Sequence, residues 1–218
     1  MGKLIAIEGL DGCGKQTQSV LLANALVDGG NTVASIDFPR YGNKSAALCE
    51  AYLNGEFGKR PGDVNAYAAS TFFAVDRYAS YLTEWKGAYE VSDYLIADRY
   101  VTSNAIHQCS KLARGEWEGY VSWLFDFEFG KLGLPEPAKV FYLSMPVERS
   151  EELVTARYAG DDAKKDIHER DDEYLRHSRE AADWCCDRLG WERIECCRGA
   201  SLRSVEDIHE EILKRIGV

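Results

Sequence analysis

Residues 5–18 read IAIEGLDGCGKQTQ, and the order of chemistry within them fixes what kind of chain this is. A β-branched start predicts a strand, and the run beginning at Gln16 predicts a helix over 16–27, so the glycines fall at a strand-to-helix turn. A loop of the form G-x-x-x-x-G-K-S/T in that setting wraps phosphate in backbone N–H groups, aims a lysine at the terminal phosphates and lends a hydroxyl to Mg²⁺. Gly9, Gly14 and Lys15 fit, Gly12 keeps the loop tight, and Gln16 stands where the hydroxyl belongs, with Thr17 one place late. Residues 9, 12 and 14–17 are therefore the expected phosphate-binding set, because a helix N-terminus and a loop of free N–H groups both favour anions. Gln16 leaves two readings open: a loop without its metal function, or a subgroup that handles the metal differently.

Outward from the loop, short apolar or β-branched runs recur at 4–8, 32–38, 94–98, 139–145 and 191–196, separated by stretches of helical period. That alternation predicts an α/β fold, a parallel sheet with helices on both faces. Glu8, Asp37 and Asp98 stand at or near the ends of three of these runs. In open α/β sheets ligands gather at the carboxyl ends of the strands, so these exits are where a site is expected.

The 218 residues suffice for one well-buried domain spanning 1–218 and are too few for two of comfortable size. A chain that is 45% hydrophobic and 28% charged, without low complexity, is expected to fold as an ordinary soluble protein. No apolar run approaches a membrane span, so no membrane partner is expected. A formal charge of −10 argues against a nucleic-acid partner, whose protein surface is normally basic. Seven cysteines cannot all pair within one chain and contain no C-x-x-C spacing, which favours free thiols and a reducing, cytoplasmic setting. Cys13, at a helix start beside Lys15, could be a reactive thiol or merely a small residue in a tight loop.

Between 63 and 85, Val64, Tyr67, Ala68, Thr71, Phe72, Val75, Tyr78, Ala79 and Leu82 recur at three- and four-residue steps, one apolar stripe of a long helix. At about 100° per residue, Phe73 and Arg77 fall on the opposite, non-core side one turn apart, where they could flank a planar ring or form a second packing face. The segment 158–171 is dense in charge and is expected to be mobile. Helical period resumes at Tyr174, and an amphipathic helix closes the chain from Arg203 to Ile216.

Together with the loop, the pieces DFPRY (37–41), FFAVDRY (72–78), ADRYVTSNAIHQ (97–108), GLPEP (133–137) and DIHERDDEYL (166–175) resemble the thymidylate kinase family in identity and order. The resemblance implies a P-loop NTPase-like domain with a five-stranded parallel sheet, a small lid at about 158–171, and a homodimer, to which the apolar stripe of 63–85 could contribute unless it is core. It implies transfer of phosphate from ATP, with Mg²⁺, to dTMP. By resemblance Lys15 and Arg99 are catalytic cations, Arg99 also holding the acceptor's phosphate. Asp11 is catalytic and reaches the sugar 3′-hydroxyl. Phe73 and Arg77 become the ring-stacking and base-contacting residues, and Phe38, Arg40, Ser103, Asn104 and His107 complete the acceptor site, His107 standing where many relatives have Tyr. With Gly12 and Cys13 between Asp11 and Gly14, the loop has no arginine of its own. Transition-state charge then falls to Arg157 or Arg170 in the lid region. Gln16 departs from the family's usual hydroxyl, so Mg²⁺ is expected to rest mostly on nucleotide oxygens and water, with Asp98 or Glu8 outside them. Alternatives kept open are a kinase of another deoxynucleotide or of a deoxynucleoside, and a nucleotide-binding module without turnover.

Overall fold

The computed structural model describes residues 1–161, 163 and 165–217; residues 162 and 164, inside the expected lid, lie outside the described residues. The chain runs β1 (Lys3–Gly9), α1 (Lys15–Asp28), β2 (Val33–Asp37), α2 (Ala47–Leu53), α3 (Ala66–Ser80), α4 (Lys86–Val91), β3 (Tyr94–Asp98), α5 (Val101–Cys109), α6 (Trp117–Phe125), β4 (Lys139–Ser144), α7 (Val147–Arg157), α8 (Asp172–Leu189), β5 (Glu192–Glu195), β6 (Cys197–Arg198), β7 (Ser201–Leu202) and α9 (Val205–Ile216). Wide helical turns at Tyr81–Trp85 and Asp126–Lys131 continue the lines of α3 and α6. All five expected strands form, and they pair in the order β2-β3-β1-β4-β5, every neighbour parallel. The small antiparallel β6–β7 hairpin was not expected from the sequence.

Alternation along the strands decides which helices cover which face. Ile5, Ile7, Ile96, Phe141 and Leu143 pack with Leu22 and Leu26 of α1 and Ile208 and Ile212 of α9. Leu4, Ala6, Leu95, Ala97 and Val140 point the other way, against Val101, Ala105 and Cys109 of α5, Tyr120 and Leu124 of α6 and Ala181 of α8. With both faces covered, the inner strands β1, β3 and β4 have almost no solvent side, which is why they read as continuous apolar runs, while the edge strands β2 and β5 are only part-buried. The helices leaving the neighbouring strands β1 and β3 thus pass to opposite faces, and a crevice opens between the two strand ends. Among the described residues, no helix is long and apolar enough to cross a membrane.

Burial decides the facing of the 63–85 stripe and places part of the charged segment. The apolar stripe of α3 does not face the core: Tyr67, Val75, Tyr78 and Leu82 are exposed, while Ser70, Asp76, Arg77 and Ser80 are buried. The inward polar groups are satisfied by partners that helical periodicity cannot supply, among them Ser45 for Asp76, Tyr120 for Ser70 and Glu128 for Arg77. Within the charged segment, Ile167, His168 and Glu169 are buried, Ile167 packing on Tyr52, Leu53 and Ala69 and donating its N–H to Leu53 O at 3.1 Å. Six of the seven cysteines are buried and all are free, as the composition suggested.

Candidate active site

The turn after β1 requires its glycines. Gly9 (φ +154°) has no room for a Cβ, which would stand 2.5 Å from Cys13 Sγ and 2.9 Å from Leu143 O; at Gly12 (φ +81°) it would meet Ser150 O at 2.8 Å. Lys15 opens α1 with its Nζ donating to Leu10 O at 2.8 Å and 3.8 Å from Asp11 Oδ1. Gln16 and Thr17 are exposed on the same first turn. Cys13 is buried and burial pushes its thiol pKa up, although Lys15 and Arg99 pull the other way, so the reactive-thiol alternative is not supported.

After β3 the backbone takes a rarer course. Arg99 has φ +68°, a left-handed conformation uncommon outside glycine and concentrated where function demands it. This turn sends its side chain back to the loop: Nη2 lies 2.5 Å from Asp11 Oδ1, and Nη1 donates to His107 Nε2 at 3.1 Å. Burial works against charge on Asp11, yet Arg99 and Lys15 outweigh it and hold the carboxyl well below its usual range. Burial likewise opposes charge on Arg99, which Asp11, Glu8 and Asp98 overcome. Glu8 is fully buried and accepts from Tyr100 N at 2.9 Å, Thr102 Oγ1 at 2.6 Å and Ser103 Oγ at 2.5 Å. With its oxygens so engaged it does not fit a metal, contrary to one of the two expectations for that role; Asp98 remains, its carboxyl raised by burial and drawn back by Lys15 and Arg99.

Two cavities meet at this salt bridge. The narrower, of about 520 Å³, is walled by Phe38, Phe73, Arg77, Ser103, Asn104, His107 and Gln108. The wider cleft, of about 1900 Å³, carries Gly12, Gly14, Lys15, Gln16, Thr17, Asp37, Asp98 and Arg157. Asp11, Phe38, Pro39, Tyr41, Arg99 and Asp166 border both. One chamber thus offers an aromatic wall and polar groups, the other the phosphate loop, and a cation sits at their junction.

Phe73 and Arg77, expected on the non-core side of α3, do come together on the narrow chamber's wall. Arg77 is 1% exposed; its Nε and Nη2 each donate to Glu128 at 2.6 Å, and Nη1 to Tyr100 O at 3.4 Å. Asn104 Nδ2 joins the same carboxylate at 3.3 Å, while the Ser103 hydroxyl is spent on Glu8. Arg40 is not brought to either cavity: its guanidinium is tied to Asp37 at 3.2 Å and Glu84 at 2.5 Å. Of the two lid arginines, Arg157 borders the wide cleft, 3.9 Å from Glu169, whereas Arg170 turns to Ala163 O at 2.7 Å.

Sequence reasoning passed over Gln108, Glu128, Asp166 and His168. Gln108 is fully buried on the narrow chamber, and among the described residues neither its amide oxygen nor its nitrogen has a hydrogen-bond partner. Its place one helical turn after Asn104 was the available signal. An orphaned donor and acceptor on one chamber wall are suited to a ligand edge presenting both.

The family model described as thymidylate kinase matches residues 7–212. The chain belongs to the thymidylate kinase family. It is 38% identical over 172 residues to the thymidylate kinase of Mycobacterium tuberculosis, covering 78% of this chain and 79% of that one. The thymidylate kinase of Plasmodium falciparum is 25% identical over 218 residues, covering 99% and 90% of the two chains. The human thymidylate kinase is 28% identical over 146 residues, covering 66% and 61%. Family membership agrees with the all-parallel five-stranded sheet and the phosphate loop after its central strand.

Proposed function

We propose that the protein transfers the terminal phosphoryl group of ATP to dTMP, giving ADP and dTDP. The observation that carries this reading is the junction itself: a base-sized chamber and a phosphate-loop cleft that share Asp11 and Arg99. Phosphoryl transfer asks little covalent chemistry of a protein, because rate comes from alignment and from neutralising charge on the oxygens. The residues have suitable roles. Thymine lies on Phe73, its edge read by Arg77, Asn104 and Gln108; Asp11 accepts from the sugar hydroxyl; Arg99 holds the acceptor's phosphate where it meets the donor. In the cleft the loop N–H groups and Lys15 hold the donor phosphates, and Arg157, rather than Arg170, meets the transition-state charge.

The donor set suits Mg²⁺, a hard cation that keeps several waters: Asp98 and the Thr17 hydroxyl border the cleft beside Lys15, and Gln16 there supplies an amide oxygen instead of a hydroxyl. Bound with ATP, the ion would neutralise phosphate charge. Residues 158–171 act as the lid. The outward apolar side of α3, with Tyr67, Val75, Tyr78 and Leu82, supports a homodimer, since a contiguous exposed apolar face is a usual association surface. Seven free thiols support a reducing, cytoplasmic setting.

A product assay tests the reaction: purified protein, ATP and Mg²⁺ with dTMP, dUMP, dGMP or thymidine. Rapid dTDP from dTMP with little product from thymidine is expected, because thymidine leaves Arg99 without a phosphate. Phosphorylation of thymidine in preference to dTMP, or no product although ATP binds, overturns the proposal.

A further inference from the structure

A run of polar groups joins His107 and His168, on the wall of the narrow chamber, to Tyr52 and Lys111 behind it. Lys111 Nζ donates to Tyr52 Oη at 2.7 Å and to Val64 O at 3.1 Å, and it also sits 4.8 Å from the Tyr52 ring centroid. Tyr52 Oη is 2.9 Å from His168 Nε2. His168 Nδ1 is 3.4 Å from Tyr174 Oη, and Tyr174 donates to His107 O at 2.9 Å. The rings of His107 and His168 stack at 5.7 Å with 16° between planes. His107 Nε2 in turn receives Arg99 Nη1 at 3.1 Å.

The directions of these bonds follow from what each group can do. An ammonium only donates, so Lys111 Nζ donates to Tyr52 Oη, whose own hydrogen has two acceptors in reach, His168 Nε2 at 2.9 Å and Pro61 O at 3.3 Å. Tyr174 Oη lies 3.4 Å and 3.3 Å from the two ring nitrogens of His168, and its hydrogen goes to the His107 carbonyl. A guanidinium also only donates, so His107 Nε2 accepts and its proton sits on Nδ1, which has no partner. Both imidazoles are buried, 6% exposed each, and burial first, then neighbouring cations or the other imidazole, keeps them neutral. Through buried groups these contacts link Lys111 to a carbonyl of α5, and hydrogen bonds joined in a low-dielectric interior strengthen one another. The chain crosses four parts of the fold: Tyr52 on α2, His168 of the segment before α8, Tyr174 on α8 and His107 on α5.

We propose that Lys111, Tyr52 and His168 are positioning residues: they dock the inner end of the charged segment on the His107 ring, and His107 in turn fixes Arg99 where it receives the acceptor's phosphate. This rests on the role proposed above for Arg99. None of the three touches the reacting atoms. Their contribution is to hold a guanidinium whose backbone is already in a rare conformation, so that the arginine does not have to be ordered when substrate arrives.

The test uses the full chain with Tyr52→Phe and Lys111→Met, which leave the wall of the narrow chamber intact, because neither residue lines it. Calorimetric affinities for dTMP and for thymidine are compared, so that their ratio isolates the phosphate's contribution. Each variant is expected to lower that ratio about tenfold while thymidine affinity stays within about twofold, the size of one charge-assisted hydrogen bond misplaced. The double variant should lose no more than either single, since a chain is broken once. An unchanged ratio, thymidine affinity falling in step with dTMP, or losses that multiply would each overturn the proposal. Arg99→Ala separates the two ideas: if it leaves the ratio unchanged, the role of Arg99 is wrong. The chain is then decided by imidazole nitrogen NMR, where wild type should show both imidazoles neutral, His107 as the Nδ1–H tautomer, and Tyr52→Phe should shift both. Signals unmoved by Tyr52→Phe would refute the chain on their own.

Discussion

Replacing Glu128 by glutamine tests the buried pair under the base wall. Arg77 and Glu128 are 1% and 0% exposed and share two bonds of 2.6 Å, so the pair has almost no water to fall back on. Glutamine keeps the volume but sets an NH₂ against guanidinium donors and leaves the cation unbalanced. Removing one partner of a buried pair costs about 3–5 kcal/mol, a large part of the roughly 5–15 kcal/mol by which domains are stable. With a urea slope of about 2–3 kcal/mol per molar, the unfolding midpoint followed by tryptophan fluorescence should drop by roughly 1–2 M. KM for dTMP should rise together with that loss, because Arg77 no longer has a fixed place on the chamber wall. The double variant Arg77→Met, Glu128→Leu removes both charges and should recover most of the stability, because apolar replacement of a buried pair is often neutral or better, while dTMP binding stays impaired. A Glu128→Gln midpoint within about 0.3 M of wild type, or a double variant no more stable than the single, would refute the reasoning.

Gln16→Ser should leave both the Mg²⁺ dependence and turnover within about threefold of wild type, because the missing hydroxyl is met elsewhere; a large gain would say otherwise. Arg157→Ala should lower kcat about 10²- to 10³-fold with KM for dTMP little changed, and Arg170→Ala should do far less, so a reversed order in steady-state kinetics removes the assignment. Asp166 is pushed from 3.8 up to about 7 by burial and then by the charge of Asp11, so the folded state keeps a proton that the unfolded chain has lost. Its stabilisation is present below pH 3.8 and lost as pH rises through about 7. Relative to wild type, Asp166→Asn should therefore gain about 1–2 kcal/mol of unfolding free energy between pH 5 and 8, the full shift discounted for solvent at a part-exposed side chain; a flat difference would exclude this. Iodoacetamide applied to the native protein should label Cys197 first, the one thiol that is not buried, and mass spectrometry finding Cys13 labelled first would contradict the burial of the loop thiol.

The strands and the phosphate loop were legible because their signals are local: β-branched runs with both faces covered, and glycines at fixed spacing before a lysine. The facing of α3 was not. A stripe of apolar residues ordinarily marks the inner side of a helix, and here Glu128, fifty-one residues from Arg77, together with Tyr120 and Ser45 satisfies the polar side instead. Arg40 stands outside both cavities for the same kind of reason, since Glu84 holds its guanidinium from across the chain. His168 and Asp166 lay in view within a charged stretch, but Ile167 packing against Tyr52, Leu53 and Ala69, together with the contacts of His168 to Tyr52 and Tyr174, brings them to the chamber. The β6–β7 hairpin is too short for any period to register.

The passing of α1 and α5 to opposite faces of the sheet has a geometric consequence. Neighbouring strands stand about 4.8 Å apart, so turns that leave β1 and β3 toward opposite faces still bring Arg99 of the second against Asp11 of the first. The meeting of Asp11 and Arg99 is therefore set by strand order before any side chain is chosen.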